Sequence, residues 1–264
     1  MITYIDHIGR KLIANIEYAV RVLLMIYLSI RATILVQAQG IRTVISVVAA
    51  QIYFCGWHAM PLITVLAMAS GSITILQSSS QLSLLGGSEM IGNLLVVIMV
   101  REVGPLLTAL VVIAQSGAAV VTEVGNMRAN HEIEALESLG INPLSFIVFP
   151  RIIGGIISVV WLSFYFVVVA LIGGFLLTRI INEMPLNFYL DSLVQALTVK
   201  DVFLFLIKTG FSGMIIFSIS CYQGLEVKRS HHEVPQVTTK AVVDNIIIVT
   251  LFNMTSTVFF ILSN

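Results

Sequence analysis

The chain has 264 residues, 58% of them hydrophobic and 11% charged, and its formal net charge is zero. A soluble domain carries about 25% charged residues, so this composition excludes a soluble fold and implies an all-α integral membrane protein in one domain. With no net charge, the placement of charges matters more than their sum. The two cysteines, Cys55 and Cys221, stand far apart in apolar context and are expected as small core residues, not as a disulfide or a metal site. No cleavable signal peptide is expected, because the first apolar stretch starts late and lacks an Ala-x-Ala exit.

In chain order, Ile8 to Leu35 has a helical pattern interrupted by Arg10, Lys11, Arg21 and Arg31. Its uncharged run from Val22 to Ile30 is too short for a bilayer of about 30 Å, which suits a basic amphipathic helix lying in the interface. Thr43 to Met60 is apolar but holds Gln51, Gly56 and His58, and Pro61 is expected to open the first clear span, to about Leu76. Gln77 to Asn93 is rich in Ser, Gly and Gln. The second span is expected over about Gly92 to Val121 and the third over about Ile152 to Leu177, with Gly154, Gly155, Gly173 and Gly174 allowing close helix contact. A short helix is expected over Pro185 to Leu197. The fourth span follows over about Val202 to Tyr222, and the fifth over about Ala241 to Leu262.

Glu123 to Arg151 is the longest polar interruption, and it carries a helical design of its own. Ala129, Ile133, Leu136 and Gly140 recur at steps of three and four, while His131, Glu132, Glu134 and Glu137 take the other face. Asn130 is expected as the N-cap, and Gly140 and Pro143 as the stop. The stretch suits either a solvated loop helix or a docking element for a soluble partner. Lys and Arg in the loops set the orientation. With the N-terminus in the cytoplasm, Arg10, Lys11, Arg21, Arg31, Arg42, Arg128, Arg151, Lys228, Arg229 and Lys240 lie inside, and only Arg179 and Lys200 outside. That asymmetry turns the polar stretch toward the cytoplasm and the C-terminus toward the outside.

There is no Gly-x-x-x-x-Gly-Lys-[Ser/Thr] loop, no His-Glu-x-x-His helix and no Cys-x-x-Cys pair, so the chain is expected to hold no cofactor of its own and not to be an enzyme. Nucleic acid is not an expected partner. Intramembrane charge is the remaining signal. Thirteen residues between Leu94 and Ile113 are Leu, Ile or Val, which favour insertion by roughly 4 to 8 kcal/mol. Arg101 and Glu102 oppose it by about 2.5 to 3.5 kcal/mol each. Those charges must face protein, water or a polar ligand group, as a structural ion pair or as part of a substrate path. Lys208 lies at a similar depth from the same side, so Glu102 and Lys208 can meet.

Several motifs together carry a resemblance: Gln51-Ile-Tyr-Phe-Cys-Gly56, Arg101-Glu-Val-Gly-Pro105, Glu123-Val-Gly-Asn-Met127, Glu132-Ile-Glu-Ala-Leu-Glu137, Gly140-Ile-Asn-Pro143, Pro150-Arg151, Cys221-Tyr-Gln-Gly224 and Thr238-Thr-Lys-Ala-Val-Val243. In this order they resemble the MlaE/YrbE permeases of MCE-associated ABC transporters. The resemblance implies an inner-membrane homodimer with an N-terminal interfacial helix and five spans, a cytoplasmic ABC ATPase subunit that binds the ATP, and a periplasmic MCE-domain protein. It implies movement of phospholipid or another hydrophobic lipid. The family's coupling helix falls on about Asn126 to Leu139, so Glu123, Met127, Ile133, Glu134, Leu136, Glu137 and Leu139 are expected to contact the ATPase. Arg101, Glu102 and Lys208 are expected to form the polar part of a lipid site near the dimer axis. Gln115 stands where members commonly have Arg, Asn253 where some have Asp, and His231 to Gln236 replaces a glycine-rich run. A rival class is an ion-coupled secondary transporter or channel using the same three charges as a relay.

Overall fold

A computed structural model describes residues 2–35, 41–82, 94–182, 186–228 and 230–263. It is helical throughout, with no strand among the described residues. The helices are α1 (Ile2–Leu35), α2 (Ile41–Leu82), α3 (Val96–Ala129), α4 (Glu132–Ser138), α5 (Phe149–Asn182), α6 (Leu186–Ala196), α7 (Val199–Leu225) and α8 (Val234–Ser263). Among the described residues, five stretches are long and apolar enough to cross a membrane: Ile45–Gln77, Val96–Ala129, Leu144–Leu176, Val199–Leu225 and Val234–Leu262. The expected polar connection from Gln77 to Asn93 falls outside the described residues beyond Leu82, as do Pro185, Arg229 and Asn264.

Side chains recur every four residues along α2 as Cys55, Ala59, Ile63 and Ala67. All four are fully buried, within the same core as Leu162, Phe166 and Ala170 of α5. Small residues set the spacing. A Cβ on Gly173 would stand 3.0 Å from Met68 Cα in α2, and one on Gly213 would stand 2.9 Å from Ile156 Cα, so α2 and α7 both meet the α5 backbone closely. α3 and α7 run side by side in the same direction, with Arg101 beside Asp201 near their starts and Val124 beside Gly224 near their ends. The two ends of the bundle are therefore marked by α6 and by α4. α1 buries Val22, Met25 and Ser29, and the Ser29 hydroxyl donates to the Leu144 carbonyl at 2.9 Å.

Four expectations are corrected. Pro61 does not open a span; it lies inside the continuous α2. The polar residues ahead of it are absorbed by the helix itself, with His58 Nδ1 3.1 Å from the Phe54 carbonyl and Gln51 Nε2 at 4.0 Å from Cys55 Sγ. The second span runs on to Ala129, so Glu123 and Arg128 belong to its last turns. The polar stretch thereby shortens, and its C-terminal end is already a π-helical turn, Leu144–Val148, leading into α5. Asn130 is not the N-cap of α4 but the residue that closes α3; His131 occupies the cap position in a left-handed conformation (φ 60°) without a side-chain cap. Gly140, also left-handed at φ 73°, terminates the segment as expected.

Candidate functional site

Two π-helical turns interrupt α3, at Val96–Val103 and at Ile113–Gly117. Such wide turns gather at functional positions because they re-aim side chains. The first contains both Arg101 and Glu102. Pro105 follows Arg101 by four residues and has no N–H, so it cannot take the Arg101 carbonyl as an ordinary helical residue would. Lys208 of α7 takes it instead, with Nζ 2.7 Å from the Arg101 oxygen.

Lys208 is fully buried. An ammonium has three donors, and the other two go to Glu102 Oε1 at 3.0 Å and Thr257 Oγ1 at 2.6 Å. Thr257 of α8 in turn donates toward the Glu102 carboxylate, whose oxygens lie 2.9 and 3.0 Å away. Arg101 pairs with Asp201, Nε to Oδ1 at 2.6 Å, and its guanidinium lies 5.3 Å from the centre of the Phe260 ring. Asp201 is held as the third residue of a capping box: its Oδ2 accepts from the Thr198 N–H at 3.0 Å and from its hydroxyl at 2.7 Å. Two cations and two carboxylates thus join α3 to α7 in a neutral cluster, to which α8 adds Thr257 and Phe260. This meets the condition under which buried charge is tolerated.

The cluster is not sealed. The Glu102 side chain is 42% exposed and that of Arg101 25%. Beside it, between the first half of α7 and the last turns of α8, lies a cleft of about 960 Å³ lined by Phe203, Leu204, Ile207, Phe259 and Phe260. An apolar cleft with a guanidinium stacked on its wall suits a ligand with hydrocarbon tails and an anionic group. Of the three cluster residues singled out in the sequence, Arg101 and Glu102 keep surface toward solvent; Lys208 has its donors spent inside the protein. Sequence reasoning missed Asp201 and Thr257. The Thr198-x-x-Asp201 spacing was a legible signal for the first, whereas nothing local marks the second. Asn253 is buried one turn before Thr257 and donates to Ser212 Oγ at 3.1 Å and to the Val249 carbonyl at 2.9 Å. Gln115 lies in the second π turn, half-buried.

At the other end, α4 packs its apolar face inward. Ile133 is buried and Leu136 half-buried, and Met127 packs against the same core. Glu134 meets Arg128 at 3.2 Å and His131 at 3.6 Å. Glu123 pairs with Arg151 of α5 at 2.7 Å. The outward surface is therefore Glu132, Ala135, Glu137, Ser138 and Leu139, the last 73% exposed. Among the described residues no group of His, Cys, Asp and Glu could hold a metal ion, and His231 and His232 are exposed.

A family model described as Permease MlaE matches residues 48–259, which take in the charge cluster, α4 and all but the start of the first span. A probable ABC transporter permease protein of Rickettsia felis is 32% identical over 209 residues, covering 79% of this chain and 81% of its own. One from Synechocystis sp. is 28% identical over 203 residues, 77% of each chain. Protein TRIGALACTOSYLDIACYLGLYCEROL 1, chloroplastic, of Arabidopsis thaliana is 28% identical over 177 residues, 67% of this chain and 51% of its own. With a family match over most of its length, this chain belongs to the MlaE family and is an ABC transporter permease.

Proposed function

We propose that the chain is the membrane half of a phospholipid transporter. It works as a homodimer in the inner membrane and moves phospholipid, or another lipid with hydrocarbon tails, to or from a periplasmic MCE-domain protein. A separate cytoplasmic ATPase drives it from α4. The observation that carries this reading is the cleft of about 960 Å³ beside Arg101, which offers tails an apolar wall and a phosphate one partly exposed guanidinium. In this reading Arg101 meets the headgroup phosphate, Glu102 sets its approach, and Lys208 holds Glu102 and the Arg101 backbone in place. The trigalactosyldiacylglycerol in the plastid relative's name is a lipid with two acyl tails, which supports the apolar part of this reading and not the phosphate contact.

Saturation of the Lys208 donors weighs against an ion relay, which needs a group free to exchange protons or ions. The outward α4 surface supports a docked partner, since Leu139 is left bare beside Glu137 while Ile133 is spent on the core. The excess of Lys and Arg in the loops on the α4 side supports α4 and the N-terminus in the cytoplasm and α6 on the periplasmic side. Isolation of the tagged permease in mild detergent tests the partner: a nucleotide-binding subunit in equal amount is expected, and recovery of the permease alone under conditions that keep it folded would remove the ATP-driven reading.

A further inference from the structure

The cleft beside Arg101 is one half of a longer feature. Along α7, Leu204, Ile207, Phe211, Met214, Ser218 and Tyr222 follow at steps of three and four, and along α8 so do Lys240, Asp244, Ile248, Phe252, Thr255 and Phe259. Each set is one helix stripe. Leu204, Ile207, Thr255 and Phe259 line the cleft at the α6 end. Met214, Ser218, Tyr222, Lys240, Asp244 and Ile248 line a second cleft of about 880 Å³ at the α4 end, walled on its third side by Tyr18, Arg21 and Val22 of α1. Between the two stand Phe211 and Phe252, ring centres 5.8 Å apart.

The second cleft has an apolar floor and a rim of mixed charge. Glu17, Glu226 and Asp244 supply three carboxylates there, and Arg21 and Lys240 two cations, which leaves one negative charge in excess. The rim is held in place: Gln223 Nε2 donates to Tyr18 OH and to Asp244 Oδ2, both at 3.1 Å, and Tyr222 OH donates to Glu226 at 2.8 Å. Burial pushes the Tyr18 phenol up to about 12, with Asp244 among the groups that add to the rise, so it stays neutral.

One polar atom in this cleft is unaccounted for. The Ser218 hydroxyl is fully buried and has no hydrogen-bond partner. Thr209 and Ser158 bond the carbonyl four residues back, to Phe205 and Gly154, both at 2.8 Å, whereas Ser218, like Thr108 and Ser163 elsewhere in the spans, has no such bond. Ser218 lies one turn, about 6 Å, below the charged rim at Tyr222. That is the depth at which a glycerolipid carries its ester carbonyls beneath a headgroup, and an ester carbonyl would accept the orphan hydroxyl.

We propose that the α4-end cleft is a second phospholipid site, taking one glycerophospholipid with an amine-bearing zwitterionic headgroup. Its phosphate meets Arg21 and Lys240, its ammonium meets Asp244 and Glu226, and an ester carbonyl accepts from Ser218. The excess carboxylate on the rim favours this headgroup over an anionic one. The Phe211–Phe252 pair separates this site from the one at the α6 end. The proposal rests on the chain being a lipid permease.

The test uses the permease with its ATPase in vesicles of equal parts phosphatidylethanolamine and phosphatidylglycerol. A photoreactive benzoylphenylalanine replaces Ile215 in the α4-end cleft, Phe203 in the α6-end cleft, or the outward-facing Trp161 of α5 as a bulk-lipid reference. At Ile215 the ratio of phosphatidylethanolamine to phosphatidylglycerol adducts should exceed that at Trp161 by about 5-fold, the factor that about one kcal/mol of extra ionic contact gives. Ser218→Leu should remove this selective adduct and leave the lipid adduct at Phe203. The milder Asp244→Asn should bring the ratio down toward the bulk value. Bulk-like ratios at Ile215 with a selective lipid adduct still formed at Phe203 would overturn the second site and leave the lipid permease standing. A second copy of the chain captured at Ile215 would overturn it in favour of a protein interface. Bulk-like or absent lipid adducts at both clefts would overturn both readings.

Discussion

Arg151 at the start of α5 donates to Glu123 near the end of α3 at 2.7 Å, across the loop that carries α4. The pair is asymmetric: the Arg151 side chain is 9% exposed and that of Glu123 61%. Removing the carboxylate strands a buried cation, whereas removing the cation frees a carboxylate that water can reach. Glu123→Gln should therefore cost on the order of 1–2 kcal/mol, between the values for exposed and buried pairs. Because the pair fixes the base of α4, ATPase stimulation by lipid should fall more than thermal stability does. A thermal melt and an ATPase assay on the same preparation check this; equal, small losses in both would make the pair merely structural.

The cluster at the other end predicts non-additive effects. Lys208→Met leaves Glu102, 42% exposed, with a single hydroxyl partner and should destabilise by about 1–3 kcal/mol, less than a sealed pair would because water reaches the carboxylate. Lys208→Met combined with Glu102→Gln should recover a large part of that stability. Thermal unfolding of the two variants decides it, and a double variant less stable than the single would show that the pair is not the main contact of either residue.

Within α4 the two apolar residues should separate by function. Ile133→Ala removes a fully packed side chain and should cost about 2–4 kcal/mol of stability. Leu139→Ala touches an exposed side chain and should leave the melt unchanged while weakening ATPase co-purification several-fold, as loss of one interface anchor does. Glu137→Lys should act in the same direction as Leu139→Ala. Full ATPase recovery with both changes together would move the docking surface off α4.

Orientation can be read by labelling. Cysteine at Ser138, the last residue of α4, should be silent to an impermeant maleimide added from the periplasmic side, and cysteine at Val194 on α6 should react. The native thiols, Cys55 and Cys221, are both buried, so background should be low. The opposite pattern would invert the arrangement.

Much of this arrangement was legible in the chain. Five spans, an amphipathic first helix and a short helix after Asn182 follow from composition, hydropathy and glycine placement. The depth of Glu102 and Lys208 brought them to one level, and they lie 3.0 Å apart. Other features were hidden because tertiary contacts override local cues. Pro61 resembled a helix start because polar residues precede it, yet α2 continues through it against α5. Ile133 and Leu136 resembled a docking face because helical periodicity marks an apolar stripe without saying whose core it enters. Thr257 carries no local mark at all; only the approach of α8 to α3 and α7 reveals it.

ATP-dependent transfer of a labelled phospholipid decides whether the permease moves lipid through the Arg101 cleft. Vesicles holding the permease with an ATPase subunit would be mixed with an MCE-domain protein, the proposed acceptor, and lipid movement between them followed with and without ATP. Transfer should require ATP and fall to near background in the Glu102→Gln plus Lys208→Met variant, with the ATPase still bound. Full transfer by that variant, or transfer indifferent to ATP, would contradict ATP-driven movement by that path.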